Sequence, residues 1–190
     1  MKLLTNLADA ELLRMMASRN EEAFTVLYQR RHGAVYRFAL QMSGSAEAAE
    51  EVTQETFMVL MREAKQYDPS RGPLSAYLLG VARNLVLRWL SRERLYAASD
   101  PEGDRLESVP DAQDILGELN RNQTFDTLRK AVLALPPNYR EVVVLCDLQE
   151  MDYAEAAGVL GCAVGTIRSR LHRARGLLLE KMRAADRCPA

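Results

Sequence analysis

The sequence predicts an all-α protein of two small helical domains joined by an acidic, flexible linker, and three observations carry that reading. Amphipathic helical periodicity recurs along most of the chain and breaks at Gly, Pro and Asp, whereas the alternating pattern of strands is almost absent. The stretch from Tyr96 to Ala112 is acidic and punctuated by Pro101, Gly103 and Pro110, a composition that stays extended and forms no core. At 190 residues with 48% hydrophobic content, the chain can furnish two compact helical cores of modest size, and no internal repeat joins the halves. The expected division is 1–95, linker 96–116, and 117–187.

Helices are expected near 8–18, 21–43, 46–66 and 74–94, then near 116–134, 138–147, 153–160 and 164–184. The helix at 46–66 opens with Ser45 as a cap and acids near the positive end of its dipole. Val52, Phe57 and Leu60 fall near one buried side, and Glu47, Glu50, Glu51, Gln54 and Glu55 occupy the rest. Such an acidic face repels DNA, which leaves a basic protein surface or plain solvation as its two readings.

Tyr67-Asp-Pro-Ser-Arg-Gly-Pro-Leu-Ser forms a compact loop with two prolines and a glycine. The helix after it carries Arg83, Arg88, Arg92 and Arg94 against Glu93, interleaved with Tyr77 and Trp89. Basic groups beside aromatics suit single-stranded or partly melted DNA, on which phosphates pair and bases stack. The alternative places the aromatics in the core with arginines solvating the outer face, and Trp89 is expected there. Asn84 can bond a base edge with both donor and acceptor while Arg83 holds a phosphate, so the pair suits capture of an unstacked base.

In the second domain, Tyr153–Leu160 followed by Gly161 reads as the first helix of a helix-turn-helix and its terminator. Val164-Gly165-Thr166 supplies a glycine for a tight turn and a threonine to cap the next helix, leaving its N-terminus open to a phosphate. Ile167, Leu171, Ala174 and Leu178 share one buried face. Ser169, His172, Arg173 and Gly176 point away from it, flanked by Arg168 and Arg170, a face suited to a DNA major groove. A solvated basic face on an ordinary helical hairpin is the competing reading.

The net charge of -1 conceals a strong asymmetry. Residues 96–118 hold seven acids against Arg105 alone, while residues 166–187 hold seven bases against Glu180 and Asp186. No apolar run is long enough to span a membrane and the N-terminus lacks the apolar core of a signal peptide, so the expected location is the cytoplasm. Cys146, Cys162 and Cys188 are far apart and form no metal-ligand pattern or disulfide framework. Cys146 and Cys162 are expected to be buried. No cofactor or metal is expected.

Taken together, these motifs resemble the extracytoplasmic-function group of bacterial sigma factors, the smallest members of the sigma-70 family, over nearly the whole chain. Ala49-Glu-Glu-Val-Thr-Gln-Glu-Thr-Phe is similar to the family's region 2.2, which implies that Glu50, Glu51, Gln54 and Glu55 dock on the clamp coiled coil of core RNA polymerase. The loop from Tyr67 and the helix from Ala76 are similar to regions 2.3 and 2.4, implying recognition and melting of the -10 element by Tyr67, Arg83, Asn84, Arg88 and Arg92. Leu135-Pro-Pro-Asn-Tyr-Arg-Glu-Val and Gly165–Arg175 are similar to region 4, implying contact with the polymerase flap. They also imply recognition of the -35 element by Thr166, Arg168, Ser169, Arg170, His172 and Arg173.

The family often has Trp where Tyr77 stands, and Asp-Tyr-Leu where Arg88-Trp89-Leu90 stands, so its base preference at the -10 element does not transfer. No appended sensor domain is visible, and the resemblance implies control by an anti-sigma factor. The rival function is a stand-alone helix-turn-helix regulator, which would bind its operator without polymerase and leaves the acidic helix without a role. An enzyme ranks far lower: His32 and His172 are the only histidines, and no phosphate-binding glycine loop appears.

Overall fold

A computed structural model of the chain describes residues 4–99 and 119–186, and all regular structure among them is helical. The first domain comprises α1 (Asp9–Ala17), α2 (Glu21–Ser43), α3 (Ala46–Glu63) and α4 (Leu74–Ser99). Ser45 caps α3 as expected, accepting from the Ala48 amide at 3.2 Å, and Asn20 caps α2 by accepting from the Ala23 amide at 2.9 Å. Between them Gly44 takes φ +78°, the left-handed conformation that reverses the chain without a Cβ clash. The Asp9 carboxylate in the first turn of α1 binds Arg30 and Arg31 of α2, with Arg31 Nε at 2.7 Å, tying the hairpin shut. Leu12, Leu27, Phe38, Met42, Leu60 and Leu78 are fully buried between these helices.

Two boundaries differ from expectation. The helix from Ala46 ends at Glu63 and tightens into a 3₁₀ turn over Ala64–Gln66. The fourth helix runs on to Ser99 instead of ending at 94, because no helix breaker intervenes before Pro101. Residues 100–116 of the expected linker, with the acidic run they contain, lie outside the described residues, as do 117–118 and Cys188.

The second domain comprises α5 (Leu119–Leu133), α6 (Pro137–Val143), α7 (Tyr153–Leu160) and α8 (Val164–Asp186). Pro137 occupies the first turn of α6, where a missing amide leaves no bond unmade, and the helix continues as a π turn over Val144–Leu148. Asp152 caps α7 by accepting from the amides of Ala154 and Glu155, both at 2.8 Å, and Gly161 ends it at φ +62°. Helix α8 begins at Val164, so Thr166 is not the cap. Its amide donates to the Ala163 carbonyl at 2.8 Å within the first turn, and the left-handed glycine is Gly161, not Gly165. Ile167, Leu171 and Ala174 are buried against α6 and α7, with Leu178 half-buried further along. Cys146 and Cys162 are half-buried rather than core residues.

The domains touch each other. Helix α4 packs on α7, and the C-terminal end of α2 meets α5 and the π turn.

Candidate nucleic-acid interface and protein-docking face

The outward face of α8 is built as the periodicity predicts. Burying Ile167, Leu171 and Ala174 turns Arg168, Ser169, His172 and Arg173 fully outward, with Thr166 and Arg170 partly covered. Ser169 Oγ donates to the Thr166 carbonyl at 3.0 Å, which leaves its lone pairs outward. Arg175 is set apart from this face. Its Nη2 and Nε bond the Asp147 carboxylate at 2.6 and 3.1 Å, and those bonds raise its pKa above the ordinary arginine value. Asp147 lies in the π turn, so the pair clamps the helix to its domain while Arg168, Arg170 and Arg173 have no ion-pair partner among the described residues.

The residues expected at a melted strand do not share one surface. Tyr67 and Tyr77 meet edge to face with ring centroids 5.6 Å apart, and Tyr67 Oη donates to the Gly72 carbonyl at 2.9 Å. Asp68 organises the loop between them by accepting from the Ser70 amide at 2.9 Å, and the Ser70 hydroxyl, followed by this amide, holds its carboxyl below the ordinary aspartate value. Burial, with Asp9 and Asp68 nearby, pushes the Tyr67 phenol up and keeps it a donor. Asn84 is exposed in the same cleft, whose far wall is Glu155 and Gly158 of α7.

Arg83 leaves that cleft for the domain seam, where Nε and Nη2 bond the Glu141 carboxylate at 2.8 and 3.3 Å. Arg88 and Arg92 line a different groove, between α3 and α4, together with Trp89, Leu85 and Glu51. Trp89 is half-buried there rather than a core residue, and Arg92 pairs with Glu51 at 3.4 Å.

On α3, Glu50, Glu51 and Gln54 are exposed, while Glu55 is half-buried and bonded to Arg62 at 2.7 Å. Glu50 and Gln54 rim a second groove against α2 that sequence reasoning missed. Its floor is aromatic: Tyr28 stacks on His32 with centroids 4.9 Å apart, and meets Phe57 edge to face at 4.8 Å. Met58 and Met61 are 43% and 57% exposed at its side, so the acidic helix presents an adaptable apolar surface as well as charge. The signal was present as Phe24, Tyr28, His32 and Tyr36, spaced four apart on α2.

Comparison with known proteins matches residues 27–96 to sigma-70 region 2 and residues 125–178 to sigma-70 region 4. Among curated relatives, the sigma factor EcfG of Rhodopseudomonas palustris is 33% identical over 141 residues, covering 74% of this chain and 75% of that one. SigM of Mycobacterium tuberculosis is 30% identical over 173 residues, covering 90% and 83%. SigE of Mycolicibacterium smegmatis is 36% identical over 144 residues, 74% of this chain, and this match spans about half (54%) of that longer protein. Among solved structures, RpoE bound to the anti-sigma factor NepR from Bartonella quintana superposes with a TM-score of 0.67 at 28% identity, covering 84% of this chain and 96% of that one. CnrH bound to the cytosolic domain of CnrY shares the fold, with a TM-score of 0.70 at 24% identity over 94% and 99%.

This two-domain helical chain is thus a transcription initiation factor of the non-enzymatic kind. It belongs to the sigma-70 family, in the extracytoplasmic-function group.

Proposed function

We propose that this chain joins core RNA polymerase in the cytoplasm and directs it to promoters by reading a -10 and a -35 element with separate domains, 1–95 and 117–187, on either side of the linker 96–116. The observation that supports this most strongly is the presence, in order on one chain, of sequences matching sigma regions 2 and 4, the second bearing on α8 an arginine face with no ion-pair partner among the described residues. No helix among the described residues is long and apolar enough to cross a membrane.

In this reading Glu50, Glu51, Gln54 and Glu55 meet the clamp coiled coil, and the second domain contacts the flap. Arg168, Arg170, Arg173, His172, Ser169 and Thr166 read the -35 major groove, where arginine bonds guanine edges and phosphates. Tyr67 offers a stacking surface and Asn84 a base-edge partner for a displaced -10 base, while Arg83, Arg88 and Arg92 hold phosphates. Binding an unstacked base lowers the free energy of the melted state, so melting follows from capture and needs no catalysis. An anti-sigma factor, such as the one bound to the Bartonella quintana relative, would hold the chain inactive.

Transcription in vitro with core polymerase on a pool of genomic promoter fragments tests the proposal. The chain is expected to add defined start sites that core alone does not use. Failure to bind core, together with tight operator binding by the free chain, would replace this reading with a stand-alone regulator.

A further inference from the structure

Gly80 stands inside α4 for no reason that packing or backbone geometry supplies. Its backbone is not in the left-handed region, and a Cβ added to it would meet no atom within 4 Å. A glycine in a helix interior destabilises the helix relative to alanine, so an unforced one points to something that approaches the backbone closely.

Its neighbours along the same helix face are Tyr77 and Asn84, and all three line the cleft beside the loop from Tyr67. The Tyr77 ring is held edge to face against Tyr67, which is itself fixed by its bond to the Gly72 carbonyl. Side chains on a helix lean back toward its N-terminus, so Asn84 leans toward Gly80 while Tyr77 leans away from it toward the loop. Between the two lies bare backbone, about 10 Å long by the helical rise, with room for one base laid flat. Gly158, Gly165 and Gly176 are equally open, yet of these helical glycines only Gly80 lies between a tyrosine and an asparagine that share its helix and its cleft.

The cleft has the chemistry of a flat, anionic ligand. It encloses about 680 Å³, within the range of small-ligand sites. Arg71 lines it, exposed and without an ion-pair partner among the described residues, and so offers a phosphate its charge. Of the acids in the cleft, Asp68 is engaged by the Ser70 amide and Glu155 belongs to the opposite wall.

We propose that Gly80 is a specificity-determining residue of the base-capture site, where the displaced -10 base lies on the bare backbone of α4 and Asn84 bonds its edge. The inference rests on the promoter-reading function above and adds to it the feature that sets the height of the base. A methyl group at position 80 lifts the base and carries its edge beyond the roughly 2.7–3.2 Å that a hydrogen bond to Asn84 needs. An unmade bond to a group that stays in the cleft weakens capture about tenfold.

The test uses holoenzyme on an intact promoter, and on the same promoter with one abasic nucleotide placed in turn at each non-template position of the -10 element. Permanganate reactivity of thymines in the bubble reads open complexes, and thermal melting reads the free chain. Wild type is expected to lose open complexes sharply at one abasic position, the captured base. Gly80→Ala should raise the melting temperature by about 1–4 °C, as replacement of a helical glycine does, and yet form about tenfold fewer open complexes on the intact promoter. On the template abasic at the captured position, variant and wild type should open equally, because the contact that the methyl disturbs is already gone. A Gly80→Ala chain that melts below wild type would show the glycine to be structural, and one that opens the intact promoter like wild type would remove it from the site. Either result overturns the proposal, and so does a deficit that persists undiminished on the abasic template. Failure of the promoter-reading function has a different signature: wild-type holoenzyme shows no abasic-sensitive position and Asn84→Ala is without effect, and the proposal falls with it. Failure of the Gly80 inference alone leaves both of those effects in place.

Discussion

The two domains solve the problem of presenting a surface in different ways. In the second, the candidate reading face belongs to a single helix, α8, whose buried stripe of Ile167, Leu171 and Ala174 dictates that Arg168, His172 and Arg173 face outward. In the first, each candidate surface lies between elements: Tyr67 and Asn84 come from a loop and α4, Arg88 and Glu51 from α4 and α3, Tyr28 and Met58 from α2 and α3. A one-helix surface follows from the sequence period, whereas an inter-helix cleft depends on crossing geometry. The charge differs as well, with acids and aromatics on the first domain suited to protein and arginines on the second suited to DNA.

The largest effect on this contrast is expected from its foundation. Leu171→Ala empties a fully packed site in the second domain and should cost about 2–5 kcal/mol. The arginine face should then be lost while core-polymerase binding through α3 survives, read by thermal melting beside a pull-down with core. Loss of both activities would show that the domains fold as one unit.

Next is Arg173→Ala, for which an arginine–guanine contact predicts about 1–3 kcal/mol of lost discrimination at one -35 position. Selection from a randomised -35 library checks it, and unaltered preference with full activity would remove Arg173 from the interface. Asn84→Ala sharpens the other half of the comparison. Holoenzyme carrying it should bind -35 DNA normally but form fewer open complexes, with a premelted -10 bubble restoring much of the activity. Permanganate reactivity of -10 thymines reads the outcome, and normal reactivity would exclude base capture by Asn84.

Glu51→Lys should weaken core binding with a stability change within about 0.5 kcal/mol, since the side chain is exposed and its contact with Arg92 is long. The smallest effect belongs to Asp147→Asn. Its pair with Arg175 is partly exposed, so the stability change should stay within about 1 kcal/mol, seen as a small fall in melting temperature.

Helix by helix, the fold was legible. Ser45 and Gly161 are local signals read from the sequence, and the structure places a cap and a terminator there. One difference is local, and the other two are nonlocal. Thr166 looks like a cap because its hydroxyl is suited to one, but Ala163 already supplies the carbonyl that starts α8. Trp89 looks like core because it is large and apolar, yet it lines the α3–α4 groove beside two arginines. Arg83 reads as a phosphate ligand on its own helix, and only the approach of α6, 58 residues away, reveals Glu141 as its partner. Local chemistry was readable, and nonlocal partnership was not.

The most direct test of the central claim is DNase footprinting of one promoter by the free chain and by the chain with core polymerase. The account predicts protection across both the -35 and -10 elements only when core is present, with the free chain leaving duplex DNA essentially unprotected. Full, specific protection by the free chain at the same concentration would contradict it.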